Sequence, residues 1–416
     1  MSGPGTFVVV GAGLAAASAA STLRAEGFGG RLVLVGDEKE LPYERPPLSK
    51  EYLRGESEFD AAVVRPEGWY RDNDVELRLG VRAEAIDAGA RTVDAGGDRI
   101  PFDALLLATG GRNRAVPFPG ADLDGVLQLR TVLDADRIRT AAAGGARVAI
   151  VGAGFIGLEV AASLRSLGAG VDVVEVFARP LERVLGAEVG AVFEGVHRDH
   201  GVVFHMGEHV ERLEGGRRVE RLVTSEGTTV ECDLAVVGIG IQPNVELAAA
   251  AGLDVDNGVL VDAGLATSAP GVFAAGDVAN HAHPLFGRRI RVEHYDNAIK
   301  QGTAVARAML GGSEPFADPH WFWSDQYEHD LQYVGFADRW DEIVVRGSLE
   351  ERSFVAFYLR DGIVDGVGGL GRGREVRRSR ELVRARRPVD PALLRDEDVD
   401  LKTLARVEGD APTAPQ

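Results

Sequence analysis

Gly11, Gly13 and Ala16 in VVVGAGLAAA, and Gly152, Gly154 and Gly157 in AIVGAGFIGL, repeat one spacing at two places in a chain of 416 residues. At this spacing the first glycine permits a sharp turn out of a strand, and the second lets the backbone touch a pyrophosphate. The third residue must be small so that a helix can pack closely on that strand. The phosphate then rests on the positive N-terminus of the helix. An acid at the end of the next strand completes such a site by accepting from a ribose hydroxyl. Asp37 stands 26 residues after Gly11, and Glu175 stands 23 after Gly152. Two dinucleotides are the implied ligands. An acid at Glu175 also repels a 2′-phosphate, which favours NADH over NADPH. Arg179 and Arg183 pull the other way, because an arginine is what a 2′-phosphate needs.

The elements that must position these residues are legible too. Segments 7–38 and 148–178 align with Leu23 on Leu164, Arg24 on Arg165 and Gly27 on Gly168. Each reads as an apolar β-branched run, a glycine turn, a helix-length stretch with small residues, and a second Val- or Leu-rich run. FDALLLATGGR (102–112) reads as a buried strand ending in a glycine turn, and ECDLAVVGIGIQPN (231–244) is its counterpart. The stretch 259–279 supplies a further strand closing on Gly276 and Asp277. Beyond residue 320, alternating apolar and polar residues predict an antiparallel sheet, followed by an arginine-rich helical segment. The fold class is therefore α/β, with two Rossmann-like dinucleotide-binding domains and an α+β C-terminal domain. The predicted domains are 1–112 with 243–320, an inserted 113–242, and 321–416, whose tail EGDAPTAPQ is expected to be disordered.

Composition removes several function classes. The chain is 45% hydrophobic and 26% charged, as a globular protein is. Its 53 glycines are in excess and imply many tight turns and close backbone approaches. A net charge of −18 argues against nucleic-acid or anionic-membrane binding. The single cysteine, Cys232, cannot form an internal disulfide, a dithiol redox pair or a cysteine-rich zinc site. It is expected to be a small buried residue in a strand-like stretch. His281 with His283, and His197, His200, His205 and His209, lack acids or thiols to finish a ligand shell, so no metal is assigned. The apolar stretches 7–23 and 148–158 are interrupted by glycines, and no Lys or Arg precedes Arg24. Neither reads as a signal or a span, and a cytoplasmic protein is expected.

The runs LPYERPPLSKEYLRG (41–55), LLLATGGR, VGAGFIGLEVAA, VVGIGIQPN, GVFAAGDVA and WFWSDQYE together resemble the flavin-dependent ferredoxin reductases of oxygenase systems. That family serves aromatic-ring dioxygenases and bacterial haem monooxygenases, and has rubredoxin reductases and apoptosis-inducing factor as relatives. The likeness runs in order from about residue 6 to 405. It implies a glutathione-reductase-like arrangement, with FAD in the discontinuous first domain and NADH in the inserted one. The implied FAD contacts are Gly11, Gly13, Ala16, Asp37, Arg45, Lys50, the Ala83 backbone, Thr109, Gly110, Arg130, Gly276 and Asp277. Asp277 would serve the ribityl chain. Without the motif, Arg45 and Arg130 read as ordinary salt bridges.

For NADH the resemblance implies Gly152, Gly154, Ile156, Gly157 and Glu175, with Arg183 nearby and Gly238, Ile239 and Glu293 toward the nicotinamide. It makes Lys50 and Glu159 the catalytic pair. The lysine would stabilise an anionic reduced flavin and the glutamate would balance its charge. By itself, Glu159 reads as an acid favoured in the first turn of a helix. Trp323 matches an aromatic that closes over the flavin, Tyr295 stands where relatives commonly carry tryptophan, and Trp321 reads equally well as a core aromatic.

The implied activity is a two-to-one-electron conversion. NADH would deliver a hydride, and electrons would leave singly for a small [2Fe–2S] ferredoxin that feeds a Rieske dioxygenase or a haem monooxygenase. No proton-abstracting base is required. Related flavoenzymes that reduce disulfides or peroxides use a cysteine near the flavin, and the helix expected over PPLSKEYLRG has none. Ferredoxins are generally acidic, which makes 372–387, with eight arginines against two glutamates, a candidate docking patch; a solvated helix balanced by neighbouring acids fits equally. The alternatives are a rubredoxin reductase, an NADH:quinone or dye reductase without an iron–sulfur partner, and a redox-regulated interaction protein like apoptosis-inducing factor. Monomers and dimers both occur in the family.

Overall fold

Apolar runs without polar alternation suit strands covered on both faces. In the computed structural model, which describes residues 5–405, those runs are the centres of two parallel sheets. The C-terminal stretch expected to be disordered lies outside the described residues. The chain divides into two compact units, one of residues up to 115 with 130–135 and 240–318, the other of 116–129, 136–239 and 319 onward.

In the first unit Thr6–Val10 runs parallel to Arg31–Gly36 on one side and to Ala104–Leu107 on the other. Val75–Leu79 and Val272–Ala274 extend this sheet to five strands. The helix Leu14–Ala25 buries Ala16, Ala19, Ala20 and Leu23. It crosses the helix Tyr295–Met309 so closely that a Cβ on Gly302 would fall 2.5 Å from the Ala15 carbonyl oxygen. Small residues on both helices make that crossing possible.

The second unit repeats the pattern. Arg147–Val151 lies parallel to Gly170–Glu175 and to Leu234–Val237, and Val203–Met206 and Val126–Leu127 complete five strands. Its connecting helix, Phe155–Ser166, has 12 residues, as does Leu14–Ala25. The strand predicted at 102–112 and its counterpart at 231–244 take equivalent places in their sheets. Cys232 is buried as expected, although it sits in the turn between Thr229–Glu231 and Leu234–Val237 rather than within a strand. Burial pushes its thiol up to about 12, so it stays protonated.

The same unit carries the antiparallel sheet anticipated from the alternation. Its strands Trp321–Gln326, His329–Gly335, Ile363–Leu370, Ser353–Arg360 and Glu342–Ser348 neighbour one another in that order. Short helices at Gly373–Arg378 and Arg380–Ala385 follow. Arg346 is buried and donates to Glu375 at 2.8 Å and to the carbonyls of Asp396, Glu397 and Val399, which ties the last loop to the sheet.

Burial sets a pH limit on this fold. His197, His281 and His283 are buried, and desolvation pushes each imidazole down to about 4. An unfolded histidine titrates near 6.5, so between these values the unfolded chain binds more protons than the folded one. Stability is therefore complete above about pH 6.5 and declines as pH falls toward 4, by about 3 kcal/mol for each histidine at the end of that window. His294 is pushed down to about 4 by the same cause, so denaturant unfolding at pH 7 and pH 5 should show this decline with an uptake of about four protons. Equal midpoints at the two pH values would refute it.

Candidate functional site

In the first unit Gly11 has φ +111°, and a Cβ there would lie 2.1 Å from the Ala108 carbonyl oxygen. Only glycine fits. Gly13, at φ −90°, is different: a Cβ on it would meet nothing within 4 Å. The space lies before the N-terminus of Leu14–Ala25, which has no side-chain cap and no acid in its first turn. Uncapped amides facing open space suit an anion. Ala16 is a buried residue of that helix, and Asp37 is exposed directly after the Arg31–Gly36 strand. Half-buried Ala83 pairs with Ala95 at the start of a small antiparallel sheet.

A polar cluster accompanies that cradle. Arg45 donates to Glu38 Oε1 at 2.6 Å, to the Tyr43 hydroxyl at 3.1 Å and to the Arg130 carbonyl. Arg130 donates to Asp277 Oδ2 at 2.9 Å, while its Nε is buried with no hydrogen-bond partner among the described residues. Arg291 donates to the Asp277 carbonyl at 3.1 Å and pairs with Glu293 Oε1 at 2.7 Å. The fold thus brings Arg45, Arg130, Asp277 and Glu293 together, and gives both arginines carboxylate partners as well.

Glu293 keeps 37% of its side chain open, yet desolvation raises its carboxyl, with Arg291 opposing. Gly276, at φ +79°, donates its N–H to Gln301 Oε1 at 2.9 Å and so fixes Asp277. Thr109 Oγ1 donates to the Asn244 carbonyl at 2.9 Å, Asn244 Nδ2 returns a bond to Thr109 O at 2.8 Å, and Gly110 turns at φ +60°. Tyr295 donates to Glu44 Oε1 at 2.6 Å.

The segment 46–55 is not the helix expected from its sequence. Pro46–Ser49 forms a single 3₁₀ turn, which the paired prolines start and Lys50 ends at φ −125°, ψ −118°. Lys50 is buried, with Nζ 3.4 Å from the Pro46 carbonyl oxygen.

The second unit holds a matching cradle. Gly152 has φ +101°, and a Cβ there would fall 2.5 Å from the Gly238 carbonyl oxygen; a Cβ on Gly157 would fall 2.0 Å from that of Gly152. Gly154 is extended, and a Cβ there would meet nothing within 4 Å. Glu175 Oε2 accepts from the Ala153 N–H at 2.6 Å and Oε1 from the Phe177 N–H at 3.1 Å, which pins the carboxylate to the glycine turn. Ile156 and Phe177 beside it are exposed apolar side chains. Gly238 donates to the Val151 carbonyl at 2.8 Å, and Ile239 packs on the neighbouring core. Arg179 is occupied by Glu194 at 2.6 Å, whereas Arg183 is exposed and has no partner among the described residues.

Glu159 departs from its expected position. It is the fifth residue of Phe155–Ser166, beyond the first turn, and only 3% exposed, so the helix dipole does not account for it. The Ser324 hydroxyl donates to its Oε1 at 2.7 Å. Trp321 and Trp323 are stacked at 5.2 Å and half-buried; Trp323 donates to Asp325 Oδ2 at 3.1 Å. Trp321 Nε1 is buried with no hydrogen-bond partner among the described residues. Phe322, on the opposite face, is the core aromatic.

Residues 5–302 match the model of the pyridine nucleotide-disulphide oxidoreductases, and 321–405 match that of the reductase C-terminal domain. The chain belongs to the pyridine nucleotide-disulphide oxidoreductase family. It is 42% identical to the anthranilate 1,2-dioxygenase system ferredoxin–NAD+ reductase component of Burkholderia cepacia over 402 residues, covering 96% of this chain and 98% of the relative. Putidaredoxin reductase of Pseudomonas putida is 38% identical over 404 residues, 95% of this chain and 96% of that one. The crystal structure of the covalent putidaredoxin reductase–putidaredoxin complex matches with a TM-score of 0.93 at 37% identity, over 96% of this chain and 98% of the other.

This oxidoreductase uses FAD and NAD(H), and its residues fit two dinucleotides. Two open cradles lie at uncapped helix N-termini, and an unpartnered guanidinium N–H is buried beside Asp277. Sequence reasoning missed the groups that steady these sites. Glu38 and Tyr43 hold Arg45, Gln301 holds Gly276, and Ser324 holds Glu159.

Among the described residues no group of three His, Cys, Asp or Glu side chains could hold a metal ion, and no helix is long and apolar enough to cross a membrane. The arginine-rich segment is largely committed internally. Arg372 pairs with Glu397, Arg377 with Gln332, Arg384 with Glu381 and Arg386 with Asp365, and Arg387 donates to the Leu404 carbonyl. Between the two readings of that segment, this favours the balanced helix.

Proposed function

We propose that this oxidoreductase is an NADH-dependent ferredoxin reductase, which passes electrons from NADH through FAD to a [2Fe–2S] ferredoxin supplying a terminal oxygenase. The observation that carries the reading is the pair of open glycine cradles in a chain whose one thiol is buried and protonated. Disulfide and peroxide chemistry has no nucleophile here. When bound, FAD accepts a hydride and can give up electrons singly.

The chain's own task is to bind and align. Gly11, Gly13 and Ala16 shape the first phosphate cradle, Asp37 meets the ribose, and the Ala83 backbone, Thr109 and Gly110 line the site. Asp277, braced by Arg130 and Gly276, presents its carboxylate to the ribityl hydroxyls, with Arg45, Lys50 and Tyr295 completing the pocket. Gly152, Gly154, Ile156 and Gly157 hold the second pyrophosphate. Glu175 takes the adenosine ribose, and Gly238 and Ile239 attend the nicotinamide end. A cytoplasmic location suits a partner that depends on NADH and a reduced iron–sulfur protein.

Stopped-flow mixing with NADH and NADPH, followed by titration with a purified [2Fe–2S] protein, tests this. NADH should bleach the flavin faster, and steady turnover should depend on the iron–sulfur protein. Turnover of quinones or dyes with no gain on adding that protein would overturn the proposal in favour of a dye reductase. Very slow electron exit with an NADH-dependent change of oligomeric state would favour the interaction protein.

A further inference from the structure

Glu159 takes part in a line of buried hydrogen bonds. Along Trp321–Gln326 the even positions, Phe322, Ser324 and Gln326, face inward. The Ser324 hydroxyl donates to Glu159 Oε1 at 2.7 Å, and Gln326 Nε2 donates to Ser324 Oγ at 3.0 Å. Gln326 Oε1 lies 2.8 Å from His197 Nε2, and the Tyr327 hydroxyl lies 3.4 Å from His197 Nδ1. Glu159, Ser324, Gln326 and His197 are each 3% exposed or less.

Proton counting gives the line a direction. A serine hydroxyl has one proton, so once it serves Glu159 it must accept from the Gln326 amide. The amide then turns its oxygen to His197, which must donate from Nε2 and keep Nδ1 as an acceptor for Tyr327. The imidazole is neutral, as this requires, because burial pushes it down to about 4. Reversing the line would need a protonated Glu159 that donates to Ser324. One serine would satisfy a buried carboxylate oxygen, whereas a polarised line of three groups strengthens each bond and commits the carboxylate to accepting.

We propose that Ser324, Gln326 and His197 are positioning residues that hold Glu159 as an ionised acceptor, so that the charge at Glu159 and the tautomer of His197 are coupled. This rests on reading Glu159 as the carboxylate of the reaction centre.

The test uses FAD-loaded protein with ¹⁵N-labelled histidine. At pH 7, wild-type His197 should be the pure Nε2–H tautomer, and Glu159→Gln, which can donate as well as accept, should convert it partly to Nδ1–H. The limiting rate of flavin reduction by NADH should fall about tenfold in Ser324→Ala and Gln326→Met, in the direction of Glu159→Gln, and Ser324→Thr should restore it. An Nδ1–H tautomer in the wild type, or one indifferent to Glu159→Gln, overturns the coupling. Wild-type rates in Ser324→Ala and Gln326→Met beside a slow Glu159→Gln overturn the positioning role. A wild-type rate in Glu159→Gln itself overturns the reading of Glu159, and the tautomer then reports separately on the line.

Discussion

A methyl group at position 154 should raise the KM for NADH about ten- to a hundredfold while leaving the melting temperature and bound flavin unchanged; the same methyl at position 152 should disrupt the second nucleotide fold. The two glycines differ in what they are needed for. Gly154 has φ −77° and ψ −179°, a conformation open to alanine, and a Cβ there meets no protein atom within 4 Å. Only a ligand drawn onto the helix N-terminus would collide with it. Gly152 sits at φ +101° with its Cβ direction blocked at 2.5 Å by the Gly238 carbonyl oxygen. Alanine there takes on both left-handed strain, about 1–2 kcal/mol, and a backbone clash that side-chain motion cannot relieve. Thermal melts and flavin absorbance report the fold, and steady-state kinetics report the cradle. An unaltered KM in Gly154→Ala would remove the basis for placing the pyrophosphate there.

This contrast also explains which parts of the molecule could be read from its residues. Gly11, Gly152 and Gly157 answer backbone demands that no other residue type meets, so they leave a local signature that repeats with the fold. Parallel strands covered on both faces leave apolar runs, and the alternation after residue 320 leaves a sheet. Side-chain partners leave no such trace. Glu159 meets Ser324 across 165 positions, and His197 meets Gln326 across 129. The motif WFWSDQ drew attention to Trp323, although the strand alternation in the same six residues places Ser324 and Gln326 on one inward face.

Segment charge left two readings open for a related reason. The arginines of 372–387 find Glu397, Gln332 and Asp365 from other elements, and a local sum cannot count them. The helix expected over 46–55 failed at Lys50, whose backbone leaves the helical region just after the paired prolines.

Replacing Glu175 by alanine should shift the ratio of kcat/KM for NADH over NADPH by about a hundredfold or more, chiefly through loss of NADH. The carboxylate ends the strand Gly170–Glu175 and is held by the Ala153 and Phe177 amides, so it lies at the glycine turn and not in a mobile loop. On the proposed reading it would accept there from a ribose hydroxyl and repel a phosphate in the same place. Alanine removes both effects and leaves two backbone N–H groups free to meet a phosphate. Arginine supply limits how far the preference can move. Of the two arginines that closely follow Glu175, Arg179 is tied to Glu194, which Arg198 also holds at 2.8 Å, and Arg183 is exposed with no partner among the described residues. Glu175→Ala should therefore bring NADPH up only severalfold, and adding Glu194→Gln, which releases Arg179, should bring a further gain of about tenfold for NADPH alone. Both coenzymes measured side by side decide the matter. If the double variant gains nothing over Glu175→Ala, the Arg179–Glu194 pair has no part in coenzyme choice; an unchanged ratio in Glu175→Ala would take the ribose away from this strand end altogether.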